Sequence, residues 1–137
     1  MAELTRLSQA PNLQPHTPWN WGQTLTHLAQ SIEYSVRGFP ETKSTLFQRT
    51  VGATAFGVFT WRGRMSHPLD DPIPGAPSLP ADTDTVAALA RLQIAAQAFR
   101  DHAGPLQPHF AYGALSKAEY EQAHAMHLAN HFSAFTA

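Results

Sequence analysis

The stretch from Ser116 to Phe135, SKAEYEQAHAMHLANHFSAF, carries His124, His127 and His131, three of the eight histidines in the chain. At 100° per residue these rings share one narrow sector of a helix with Tyr120 and Phe135, while Ala118, Ala125, Ala129 and Phe132 turn elsewhere. One helix face is therefore an imidazole stripe, and imidazole binds divalent metals. Residues four apart rise about 6 Å, so His127 and His131 can converge on one ion at about 2.0–2.1 Å each. His124 and His131 are separated by about 10.5 Å of rise, too far to share an ion readily. Spacing alone leaves two pairs, His127 with His131 or His124 with His127. A third ligand must come from another element.

The available ligands are limited by composition. With no cysteine, disulfides, thiolate zinc sites and a cysteine nucleophile are all excluded, leaving histidine and carboxylate. Only 14% of the residues are charged and the formal net charge is −1, so no electrostatic footprint for nucleic acid or an anionic membrane is visible. The start, MAELTRLSQAPNLQPH, is neither basic nor apolar, and no run of about 18 apolar residues occurs. The expectation is one soluble, cytoplasmic domain over 1–137 that needs no staples for its core.

The elements that must position the rings follow in order. Residues 1–18 hold a helical turn from Glu3 to Gln9 and then PNLQPHTP, whose prolines deny it regular structure: a leader that packs on the rest. From Trp19 or Asn20 to Arg37 the pattern is helical, with Leu25, Leu28, Ala29, Ile32 and Val36 on one face and Gln23, His27, Gln30, Ser31 and Tyr34 on the other. Such a helix, nearly uncharged all round, is expected to be buried on more than one side. Residues 41–63 are read as a helix in which Gly52 and Gly57 admit another helix and Phe47, Phe56, Phe59 and Trp61 supply bulk. Residues 66–81, SHPLDDPIPGAPSLPA, hold five of the eleven prolines and form a long irregular connection. Asp82 to His102 is helical, with a spine of Val86, Leu89, Ala90, Ile94, Ala98 and Phe99. After the loop PLQPHFAYGAL, Ser116 and Glu119 form a capping box that starts the imidazole helix. The reading is an all-α four-helix bundle with long loops before its third and last main helices.

His27 lies on the polar face of the second helix, which in an antiparallel or crossing bundle can look at the imidazole stripe. Three imidazoles on two helices leave a coordination position open, as in a catalytic metal site. The run Trp19-x7-His27, followed about a hundred residues later by His127-x3-His131 and a hydrophobic tail, resembles the DinB-like superfamily. That superfamily includes YfiT-type metal hydrolases and the bacillithiol- and mycothiol-dependent S-transferases. The phrases SIEYSVRGFP, IPGAP and PHFAYGALSKAEYEQAHAMH are similar to a branch of uncharacterised proteins within it. The resemblance implies that His27, His127 and His131 hold a divalent metal, zinc, nickel, iron or manganese. It also implies activation of water or a low-molecular-weight thiol for hydrolysis of, or S-transfer to, a small substrate. Where many relatives have histidine before the second ligand and glutamine three after it, this chain has Asn130 and Ala134.

The remaining polar residues are assigned around that centre. His124 is the reserve ligand, or else lines the pocket or pairs with Glu33 or Tyr120. Tyr34 is a candidate acid or hydrogen-bond donor to substrate, and His109 a candidate at the site mouth because its loop leads into the imidazole helix. His67 and His102 are read as loop or helix-end residues and His16 as incidental. A homodimer is expected from the aromatic-rich, mostly neutral helices. The alternative to an enzyme is a metal-binding or stress-associated bundle without turnover.

Overall fold

Asn20 starts the helix on which the molecule is built. Its side chain accepts from the Gln23 amide, and the Gln23 side chain reaches back to the Asn20 amide, a reciprocal cap ahead of α2, Trp21–Arg37. In the computed structural model, which describes residues 2–137, α2 is buried on nearly every side. Leu25, Leu28, Ala29 and Ile32 enter the main core, and His27, Gln30 and Ser31 are buried on the opposite face. The expectation for a nearly uncharged helix is met.

Two helices pack on α2. Asp84 caps α5, Thr85–Asp101, and this is the most extensive helix pairing. Gly22 meets Thr83 and Thr85 at one end and Glu33 meets Arg91 further on, so α2 and α5 run in the same direction. The apolar spine differs from the expected one. Ala88, Leu92, Ala95 and Phe99 are buried, whereas Val86 and Ile94 are exposed. α5 is apolar nearly all round, and α2 takes the face whose alanines permit close approach. The capping box of Ser116 and Glu119 starts α6, Lys117–Phe132, which runs antiparallel to α2: His131 lies beside His27, and His124 beside Ser35.

The helix predicted to reach Phe135 stops at Phe132. The Ser133 hydroxyl donates to the Asn130 carbonyl, and the chain then extends so that β2, Phe135–Thr136, pairs antiparallel with β1, Gln14–Pro15. Extension carries Phe135 into the core against Trp21, at 4.9 Å between rings. The leader thus contains a short strand despite its prolines, because a two-residue edge strand tolerates one. It also contributes α1, Ala2–Ser8, whose Leu4 and Leu7 join the core.

Residues 45–62 are helical throughout, as α3 (Thr45–Phe47), a π turn (Gln48–Gly52) and α4 (Ala53–Arg62). They lie at the periphery, with Leu46, Val51, Val58 and Trp61 exposed, so Trp61 supplies no core bulk. Gly52 does admit a neighbour, but it is a loop rather than a helix: a Cβ there would sit 1.8 Å from the Ala111 carbonyl oxygen. A Cβ on Gly57 meets nothing within 4 Å. Gly52→Ala is therefore expected to cost at least the roughly 1–3 kcal/mol of an overpacked site. Gly57→Ala should be neutral or gain up to about 1 kcal/mol of helix propensity. Thermal melts of the two variants give the comparison.

The proline-rich segment crosses α2 as a strap. Proline offers carbonyls and no N–H, and the amides of α2 supply the donors: Asn20 to Ala81 at 2.7 Å, Gln23 to Leu79 at 2.8 Å and Gln30 to Pro77 at 3.4 Å. Ile73 within it and Met65 just before it are buried.

Candidate metal centre

The polar face of α2 meets the imidazole stripe of α6 under this strap. The ring centroids of His27 and His127 are 5.0 Å apart, those of His27 and His131 4.8 Å, and those of His127 and His131 4.8 Å. One nitrogen from each ring lies within 4.8 Å of the others, so the three could hold a metal ion. His27 Nε2 and His127 Nε2 face each other at 3.1 Å. Two nitrogens bound to one tetrahedral ion at 2.0–2.1 Å sit about 3.3 Å apart, so that spacing fits a shared ion. His131 Nε2 is buried without any hydrogen-bond partner, so it could serve as a ligand atom of such an ion. His27 Nδ1 also lacks a protein partner, and packing holds the ring instead: Trp19 tilts against His27 at 4.9 Å and stacks on His131 at 6.1 Å.

Burial sets the charge of these rings. It pushes the imidazolium of His27 down to about 4 and that of His131 to about 3, and that of His127 well below its ordinary value; neighbouring histidines add repulsion in each case. All three are neutral at pH 7, with lone pairs free of protons, which is the form that binds metal.

His124 is turned away from this group. The Ser35 hydroxyl donates to the Ile32 carbonyl, so His124 Nε2–H must donate to Ser35 Oγ, at 3.2 Å. The ring stacks on Tyr120 and meets Phe99 edge-on, while Glu33 is taken by Arg91 and Arg37 rather than by His124. Tyr120 is fully buried; its hydroxyl donates to the Gln107 carbonyl at 2.6 Å, and burial raises its pKa. Tyr34 packs on Phe39, outside the cavity wall.

A cavity of about 440 Å³ opens from the histidine group. His27, His127, His124, His109, Phe110 and Tyr112 all line it. Gly113, at φ +80°, closes the turn that presents His109, whose Nδ1 accepts the amides of Ala111 and Tyr112. Tyr112 stacks on the His109 ring at 4.2 Å, and burial raises the phenol to about 12. Lys43 and Asp71 supply the charges in the wall.

Sequence reasoning missed Trp19 as a wall of the histidine group and His67 as a member of the cavity. His67 lies on the strap, with its ring 5.1 Å from both His127 and His131. Its one signal was its place at the start of a long proline-rich connection. His16 clamps Thr136 and His102 bonds the Pro105 carbonyl, both away from the cavity.

A family model described as "Protein of unknown function (DUF1569)" matches residues 1–137. The chain belongs to the DUF1569 family. DUF1569 lies within the DinB-like superfamily, in keeping with the all-α bundle of this DUF1569 protein. No curated protein and no solved structure matches the chain. Among the described residues no helix is long and apolar enough to cross a membrane.

Proposed function

We propose that this DUF1569 protein is a metal-dependent enzyme that uses a divalent ion on His27, His127 and His131 to activate water or a small thiol against a small substrate. The observation that carries the reading is the buried, unpartnered Nε2 of His131 beside the facing Nε2 atoms of His27 and His127. A divalent ion held by three neutral imidazoles keeps its full charge, and so acidifies a bound water or thiol enough to make a nucleophile near neutral pH. The residues of the chain do the rest. Trp19 excludes water from one side of the rings, and the aromatic wall of Phe110 and Tyr112 receives an apolar portion of substrate, with Lys43 and Asp71 available to orient a polar one. The 3.1 Å contact taken alone also suits a proton shared between two imidazoles, as in a metal-free or non-catalytic bundle. The unpartnered nitrogen of His131 favours the ion, since a hydrogen-bond network would leave that atom unpaired.

Metal analysis of protein purified without a histidine tag tests the site: a single ion per chain in wild type and none retained by His127→Ala is the expected result. Conjugation of low-molecular-weight thiols to electrophiles, and hydrolysis of simple esters, each with and without metal, then test catalysis. Metal retention without metal-dependent turnover would select the non-catalytic reading.

A further inference from the structure

We propose that His67 is an exchangeable fourth ligand of the same ion, delivered by the proline-rich strap. The inference rests on the metal reading above. Rings bound to one tetrahedral ion at 2.0–2.1 Å have centroids roughly 5 Å apart. The three rings on α2 and α6 are spaced at 4.8–5.0 Å, and His67 stands 5.1 Å from both His127 and His131. Its tautomer is fixed by its own backbone. His67 Nδ1 lies 2.8 Å from the Pro68 carbonyl oxygen, which can only accept, so Nδ1 carries the proton and the Nε2 lone pair is free. A histidine that donates its outer N–H to a backbone carbonyl has the support usual for a metal ligand.

The strap explains why this ligand exchanges. His67 is half-buried, and it is not among the nitrogens that lie within 4.8 Å of one another. A short movement of the strap therefore joins it to the ion or withdraws it. Among the described residues, the hydrogen bonds that tie the strap to α2 and its cap, from Asn20, Gln23 and Gln30, reach its far end, through the carbonyls of Ala81, Leu79 and Pro77. Its near end, residues 64–68, makes no regular secondary structure and is anchored by the buried Met65. His67 can thus close the coordination sphere when the cavity is empty and yield its place to a substrate atom.

Zinc-edge X-ray absorption on the zinc-loaded full chain counts the imidazoles directly, and competition with a chromogenic chelator gives the affinity. Wild type should show four imidazoles and His67→Ala three, with zinc bound about 10–100-fold more weakly, the range seen even for outer supports of ligands. Adding free imidazole to His67→Ala should restore the fourth. Three imidazoles in both proteins with equal affinity would overturn the role of His67 and leave the three-histidine site standing. Failure of wild type to retain zinc would overturn both. The wild-type count decides the matter even if the variant folds poorly.

Discussion

Saturating zinc should raise the melting temperature of the metal-free protein by about 10 °C and that of His131→Ala by much less. Free ligand at a hundredfold excess over Kd stabilises the native state by about 2.7 kcal/mol. For a chain of 137 residues, 1 kcal/mol is worth about 4 °C. Zinc binding by the unfolded chain, which has eight histidines, reduces the gain, so the shift is read as the difference between zinc and chelator within each variant. His131→Phe sharpens the result. His131 is 1% exposed and leaves Nε2 unpartnered, so an apolar ring in its place removes an unsatisfied buried atom. In chelator that variant should melt at or above wild type, and in zinc its shift should be much smaller than that of wild type. A histidine conserving structure alone would give the opposite order in chelator. Circular dichroism melts with and without zinc decide between them.

How much of this was legible in the chain depends on which physical signal each part carries. The meeting of His27 with His127 and His131 could be read because helical spacing fixes which side chains share a face, and because α2 has a polar face with few charges to solvate it. The cap at Ser116 is local chemistry and was readable from the Ser116–Glu119 spacing alone. The buried face of α5 was not. In TVAALARLQIAAQAF apolar residues fall on most sides and only Arg91, Gln93 and Gln97 interrupt them, so side-chain size drew the spine through Val86 and Ile94, whereas packing on α2 buries the smaller Ala88 and Ala95. The role of His67 was hidden by the lack of any period in a proline-rich strap, whose path is set by the amides of α2. The end of α6 was misplaced because the turn at Ser133 depends on a tertiary gain, the docking of Phe135 on Trp21.

Acid should unfold the metal-free protein well above the pH at which its buried histidines accept protons in the native state. Burial pushes His27 and His124 down to about 4 and His109 and His131 to about 3, and lowers His127 as well. Unfolded, each ring titrates near 6.5. Below that value the unfolded chain binds more protons than the folded one, so stability falls as pH falls and is restored as pH rises through 6.5. Each ring contributes up to about 1.4 kcal/mol per pH unit across that window. His27 faces His67, His127 and His131; His124 faces Ser35, Phe99 and Tyr120; His109 faces Phe39, Phe110 and Tyr112. Among the described residues no carboxylate accepts a hydrogen bond from any of these five rings, so nothing in the fold holds them protonated. Against a total of about 5–15 kcal/mol, several such rings exhaust the stability near pH 5. Zinc works in the other direction. It binds only deprotonated imidazole, so saturating zinc should move the acid midpoint downward by competing with protons at His27, His127 and His131. Circular dichroism against pH, with chelator and with zinc, measures both midpoints. A midpoint below about pH 4 in chelator, unmoved by zinc, would contradict both the burial of the rings as neutral groups and their hold on an ion.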